Sequence, residues 1–149
     1  MTPERDGATE KYPAVLIPAS TLSADNTPAS VDLLGYREAS ILLHVGVGGI
    51  SFSGTNKIEF VLTHSDDDST YSNVTSDDLI LDSYAPASIT SGIVRALTAA
   101  HAAATIQKIS YIGGKRYLKL LAYFSGTHGT GTPIAAQVVR EGRFVQGAA

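Results

Sequence analysis

The strongest constraint on the fold is a regular alternation of apolar and other residues in several short segments. In KIEFVLTH (residues 57–64), Ile58, Phe60 and Leu62 fall on one side, and mainly polar residues fall on the other. Successive side chains of a strand point to opposite faces, so this spacing predicts a strand buried on one side. Three further segments alternate in the same way: 39–47, 116–124 and 133–140. Apolar faces of this kind must be covered, which predicts two packed layers.

The segments are separated by clusters of Gly, Ser, Asn, Asp and Pro, a rhythm typical of sandwiches and barrels. The fold class predicted is all-β, an antiparallel, jelly-roll-like β-sandwich of about 7–9 strands with an extended N-terminal arm. A chain of 149 residues suits one domain. We divide it into an arm or edge segment at 1–30, a sandwich at 31–143 and a C-terminal tail at 144–149.

Two glycine-containing stretches predict hairpins. Gly113 and Gly114 allow the positive φ angles of a tight turn, and this register places Lys108 opposite Lys119, an unfavourable pair of like charges. The stretch 125–131 predicts a longer hairpin loop before the last strand. The run DDDS at 66–69 predicts a turn after the strand at 57–64.

Two segments leave alternatives open. Residues 93–104 are rich in Ala and suit a helix by propensity, but the neighbouring strands favour a strand ending near Thr98 and an irregular or short helical link at 99–103. The apolar segment 14–17 lies between Pro13 and Pro18, which suits an edge strand or an arm on a partner. We give these two placements equal weight.

Composition excludes several classes of function. The net charge of −3 argues against nucleic-acid binding, which requires clustered Lys and Arg. The chain has no cysteine, so it forms neither disulfides nor thiolate metal sites. No apolar run approaches the roughly 18 residues of a membrane span, and the polar N-terminus does not resemble a signal peptide. We therefore expect synthesis in a cytoplasm and no membrane partner.

No set of residues suggests catalysis. The four histidines, at 44, 64, 101 and 128, do not share the spacing of a metal pair. Asp66, Asp68, Thr70 and Asp77 fall at positions used by an EF-hand-like calcium loop, but Tyr71 replaces the required Gly. A solvated turn is the favoured interpretation of this loop. We expect no enzyme activity, catalytic residue, metal or cofactor.

Two stretches carry a family resemblance: KIEFVLTHSDDDSTYSNVTSDDLI at 57–80 and ISYIGGKRYLKLLAYFSGTHGTGTPIAAQVV at 109–139. They resemble small structural proteins of tailed phages, which carry an "SDDG-S-T-aromatic" turn and a "GYIGGKRYLR" segment. The chain departs from this pattern at Asp68 and Ser110, where the resemblance leads us to expect Gly. The resemblance covers about half of the chain and implies a β-sandwich that decorates or cements the capsid exterior.

This resemblance implies the major capsid protein as partner, self-association on the capsid surface and a location on the outside of the virion. The alternatives are a carbohydrate-binding or host-recognition head-fibre module and a low-copy spike-base or tail-completion protein. Exposed aromatics and a terminal strand are typical contact residues. The candidate partner-binding residues are Tyr12, Val15, Leu16, Ile17, Tyr111, Tyr117, Tyr123, Phe144 and Val145.

Overall fold

A computed structural model describes residues 7–142, and the fold below is that of this part of the chain. It contains strands and a single 3-10 turn at Ser76–Asp78. The strands are β1 (Lys11–Leu22), β2 (Val31–Asp32), β3 (Glu38–Val45), β4 (Lys57–Ser65), β5 (Ser72–Asn73), β6 (Leu79–Leu81), β7 (Ile93–Leu97), β8 (Thr105–Tyr111), β9 (Tyr117–Ser125) and β10 (Thr132–Glu141).

The strands form two antiparallel sheets. The front sheet has the order β1-β10-β3-β8-β6. The back sheet has the order β2-β9-β4, and both β5 and β7 pair with the far side of β4, at different points along it. The expected antiparallel β-sandwich is therefore confirmed.

The pairing follows a simple rule: the first four strands pair with the last four in reverse order. β1 pairs with β10, β2 with β9, β3 with β8 and β4 with β7. The chain resembles one long hairpin rolled up so that its successive pairs alternate between sheets, which is the jelly-roll arrangement. The two short strands β5 and β6 are inserted between β4 and β7, and they extend one sheet each.

The apolar side chains of the alternating segments form the core of this sandwich. Ile58, Phe60 and Leu62 of β4 are fully buried, and they face Ile41 and Leu43 of the front sheet, which are also fully buried. Burying each such side chain contributes about 1.5–3 kcal/mol to stability. Truncating Phe60 to Ala would cost about 3–5 kcal/mol, because a cavity would remain between the sheets.

Both predicted glycine hairpins are wrong. Gly113 and Gly114 connect β8 in the front sheet to β9 in the back sheet, and the loop at 126–131 crosses from β9 back to β10. Lys108 therefore lies opposite Leu42, and Lys119 lies opposite Thr63. Because the chain crosses from one sheet to the other between β8 and β9, the two lysines lie on opposite sides of the molecule. The like-charge pair that a hairpin would create is therefore absent.

The ambiguous segment 93–104 is a strand followed by an irregular link. β7 ends at Leu97, as predicted, and residues 98–104 form bends without a helix. Its strand pairs with β4, and Val94 is fully buried. Tertiary pairing here overrides the helix propensity of the alanines.

The N-terminal segment is an edge strand of the sandwich. β1 pairs with β10 along its length, and Leu16 and Ile17 are each only 1% exposed. Of the two placements left open by the sequence, the internal edge strand is therefore the one observed. The predicted boundary, with an arm at 1–30 separate from the sandwich, does not fit β1, because this strand supplies part of the core.

Candidate interaction surface

Three of the candidate partner-binding residues are buried within the protein itself. Leu16 and Ile17 both enter the core because the register of β1 shifts between Val15 and Ile17, which turns two consecutive side chains inward. Tyr111, the last residue of β8, is 6% exposed, and its hydroxyl lies 2.8 Å from His64 Nδ1. Assigning these three side chains to a partner was wrong, because the core already holds them.

The remaining candidates differ in accessibility. Val15 and Tyr123 are 63% and 48% exposed and lie on opposite sheets. Tyr12 and Tyr117 are half-buried: Tyr12 packs beside Tyr36, and Tyr117 lies under the Arg116 guanidinium. Phe144 and Val145 lie outside the described residues.

The outward side of the front sheet, which we call the front face, is weakly charged. The strand residues Lys11, Glu38, Lys108 and Glu141 supply its charges. Its apolar side chains include Pro13, Val15, Leu42, Ile80, Ile106, Ala135 and Val139. Val15, Ile80 and Ile106 are each more than half exposed. An apolar, continuous sheet surface of this kind is typical of a contact with other protein.

One end of the front face contains an apolar groove of about 520 Å³. Small residues make its floor: Ala135 on β10, with Gly46 after β3. A Cβ at Gly46 would lie 2.9 Å from Pro133 Cβ, so glycine permits the close packing of this end. The side chains of His44 and Ile106 line the groove, and a smaller recess of about 240 Å³ continues it towards Val15.

Two of the sheet edges, that of β9 in the back sheet and that of β1 in the front sheet, differ in how their backbone groups are bonded. In the back sheet, β2 covers only the start of β9, and the next part of that edge is bonded by Asn26, which accepts from the N–H of Ala122 at 2.7 Å and donates to the carbonyl of Leu120 at 3.2 Å. Asp25 likewise accepts from the N–H of Phe124 at 2.7 Å. In the front sheet, no described strand pairs with the outer edge of β1, although the carbonyls of Tyr12 and Pro18 accept hydrogen bonds from the side chains of Arg140 and Ser20.

The outward side of the back sheet, the back face, is partly covered by contacts among its own side chains, while Tyr123 stays exposed. The Lys119 ammonium lies 4.2 Å from the Tyr71 ring centre, and Arg116 donates two hydrogen bonds of 2.8 Å to Asp32. The hydrogen bonds from Arg116 lower the pKa of Asp32. Burial, with a hydrogen bond to Asp68, raises the pKa of Tyr71 to about 12.

The acidic loop between β4 and β5 is organised by Asp67, which the calcium hypothesis did not include. Its carboxylate accepts hydrogen bonds from the N–H groups of Ser69 and Thr70 and from the Ser65 hydroxyl. These bonds lower the pKa of Asp67 to about 2. Asp68 adopts φ +59°, the left-handed region that favours glycine. Within residues 7–142, no three His, Cys, Asp or Glu side chains converge on a metal position.

At the groove end of the sandwich, the structure joins three loops that the sequence did not connect. Phe52 stacks on His101 at 5.7 Å between ring centres and contacts His128 at 6.3 Å. His101 donates from Nε2 to the carbonyl of Gly46, and His128 donates from Nε2 to the carbonyl of Ser125, each at 2.8 Å. The loops are therefore held in place by packing, and no sequence spacing could reveal this because the residues are far apart.

Comparison with known proteins gives no match, whether to a protein-family model, a curated protein or a solved structure. No helix in the described part of the chain is long and apolar enough to cross a bilayer.

Proposed function

We propose that this chain is a non-enzymatic structural protein of a tailed-phage particle, bound to the outside of the head and bridging capsomers as a decoration or cement protein. The observation that supports this proposal most is the front face, a continuous and weakly charged sheet surface with an open strand edge and an apolar groove beside it. Its partner is the major capsid protein, and the protein is made in the cytoplasm of the bacterial host.

The open edge of β1 and the neighbouring groove suit one mode of attachment. An extended segment of a shell subunit would add as a strand along β1, and its side chains would enter the groove beside Ala19 and Ala135. Main-chain hydrogen bonds would supply affinity, while the groove would select apolar side chains. Pro13 and Pro18 lack N–H groups, which limits the length of strand that β1 accepts.

The resemblance supports the same proposal at one position. Where the phage proteins that the chain resembles carry Gly in the acidic turn, this chain has Asp68 in a backbone conformation that glycine adopts most readily. Asp is tolerated there because it is among the residues that enter this region at modest cost. This backbone conformation at Asp68 is compatible with the glycine of the proteins that the chain resembles.

Copy number on purified particles tests the proposal. Quantitative gel or mass-spectrometric analysis should find this chain at an abundance near that of the major capsid protein. A handful of copies per particle would contradict a cement role and favour the spike-base or tail-completion alternative.

Substitutions on the front face test the site. Val15→Asp combined with Ile106→Asp should weaken attachment to undecorated heads at least tenfold, because it places charges beside the edge and groove. The control is Thr63→Asp on the back face, where Lys119 lies directly opposite. Equal attachment by both variants would exclude the front face as the shell contact.

One observation favours a second function, carbohydrate binding. Tyr71 and Tyr117 lie close to the carboxylates of Asp32 and Asp68 on the back face, and aromatic rings with carboxylates are a common glycan-binding combination. Calorimetric titration with polysaccharide from the host surface tests this function. Binding that is lost in Tyr71→Ala and kept in Val15→Asp would establish it, and no heat with the intact protein would exclude it.

A further inference from the structure

A pair of like charges lies at one end of the front face. Glu38 on β3 and Glu141 on β10 are directly opposite each other in the register. Carboxylates in this position destabilise a sheet unless a cation lies nearby. Lys11 on β1 forms an ion pair with Glu141, and the pKa of Glu38 is raised because its carboxyl hydrogen-bonds to Glu141. The two carboxylates thus share Lys11, and Arg37 is a second cation near Glu38.

A lysine that forms no ion pair with any described residue lies near the middle of the same face. Lys108 is exposed on β8, directly opposite Leu42. Among the described residues, no carboxylate lies within ion-pair distance of its ammonium. The Asp82 carboxylate lies nearby, where it accepts from the backbone N–H groups of Lys108 and Tyr84, but it forms no ion pair with the Lys108 ammonium. The Lys108 side chain thus has one acidic neighbour and the apolar side chains of Leu42 and Ile106 beside it.

These groups are too far apart to pair within one molecule. Glu38 and Leu42 are four residues apart on β3, which is about 13 Å at roughly 3.3 Å per residue, and Lys108 is one strand further across. A two-fold axis lying between these positions, in the plane of the face, would bring Lys108 of each copy onto Glu38 of the other. A closed symmetric dimer would form both pairs at once.

We propose that the Glu38 half of the front face binds a second copy of this chain, with Lys108 of each copy pairing with the Glu38 and Glu141 carboxylates of the other. Ser40 and Ser110, which are opposite each other in the register, lie next to the axis. Their small side chains allow two sheets to approach closely. The groove at the other end of the face stays open for a different partner.

The size of this contact predicts a weak dimer. Five strands spaced about 4.8 Å apart, over the rows between Glu38 and Leu42, give roughly 400 Å² per copy. Stable interfaces bury about 800 Å² per partner. The dimer should therefore form at high concentration in solution, and tethering on a particle would strengthen it.

Charge reversal tests the pairing. In sedimentation equilibrium of the purified full chain, Lys108→Glu or Glu38→Lys alone should weaken dimerisation at least tenfold, because like charges would face each other. The double variant K108E/E38K should restore it to within a few-fold of the original. Lys119→Glu on the back face is the matched control and should leave dimerisation unchanged. A double variant that stays as weak as either single variant would overturn the proposal.

Cysteine cross-linking tests the geometry, and the absence of native cysteine makes it unambiguous. Ser110→Cys should form a covalent dimer with a short thiol-reactive cross-linker that spans the roughly 10 Å between two packed sheets, whereas Thr63→Cys on the back face should remain a monomer under the same conditions. Equal cross-linking of both variants, or none with Ser110→Cys, would contradict the axis. The inference does not depend on particle binding: dimers that fail to attach would overturn only the proposed function, and attachment as monomers would overturn only the dimer.

Discussion

The two outward surfaces of the sandwich differ in how their side chains are used. On the back face, Lys119 covers Tyr71, Arg116 pairs with Asp32, and Asn26 bonds the open edge of β9. On the front face, Ile106 and Val15 remain exposed and the edge of β1 is open. The inner sides of both sheets are mainly apolar. The core is therefore alike on both sheets, whereas the outward residues make one side more accessible to other molecules than the other.

The largest expected effect concerns whether β1 belongs to the front sheet at all. Leu16→Ala should lower the free energy of unfolding by about 2–5 kcal/mol, because it leaves a cavity in the core. The adjacent Val15→Ala should change it by less than about 0.5 kcal/mol, because Val15 is exposed. Urea denaturation of both variants provides the measurement. Similar stability of the two would mean that β1 is not packed as described.

A smaller effect is expected at the bonded edge of the back sheet. Asn26→Ala removes the partners of the Ala122 N–H and the Leu120 carbonyl, and should cost about 1–3 kcal/mol. Hydrogen exchange of the Ala122 amide should also accelerate. The control is Ser20→Ala on the front-sheet edge strand, whose side chain bonds only its neighbouring backbone. Unchanged exchange at Ala122 would show that Asn26 does not complete this edge.

Substitutions of Lys119 test whether contacts among the side chains of the back face stabilise the protein. Lys119→Gln should cost about 0.5–1 kcal/mol, since it removes the cation above the ring. Lys119→Arg should retain most of this stability. The control is Lys108→Gln on the front face, which should leave the stability of the monomer unchanged. Equal losses of stability in Lys119→Gln and Lys108→Gln would contradict the difference between the two faces.

The smallest effect depends on pH and involves Asp67. Its pKa falls from 3.8 to about 2 on folding, so its charged form stabilises the acidic loop. That contribution is fully present above the unfolded pKa and is lost as pH falls through the folded value. Thermal melts should therefore show a smaller loss of stability between pH 5 and pH 2 in Asp67→Asn than in the unchanged protein. Identical pH profiles would contradict the role of Asp67.

The sequence predicts the strands better than their connections. Alternation identifies which side of β3, β4, β9 and β10 is buried, because burial depends on the period alone. It does not say which strand a given strand pairs with, since Gly113 and Gly114 suit a hairpin and a crossing between sheets equally well. The like charges of Lys108 and Lys119 were the one signal against the hairpin.

The candidate surface was predicted only in part. Val15 is exposed as expected, but the shift in register that buries both Leu16 and Ile17 has no marker in the sequence. The groove depends on four strands meeting at one end of the sheet. The contacts of Phe52 with His101 and His128 depend on three loops that are distant in sequence. Such features arise from topology, which periodicity does not determine.

The reversed pairing order has a consequence for how the chain folds during synthesis. Of the described strands, β10 is the last to leave the ribosome, yet it lies between β1 and β3. Until it arrives, the front sheet is divided, and β1 has no strand to pair with. Closure of contacts so distant in sequence is slow, commonly in the range of milliseconds to seconds. A nascent chain arrested before residue 132 would thus present β1 without a partner and one open edge of β3 to chaperones or to other copies of itself.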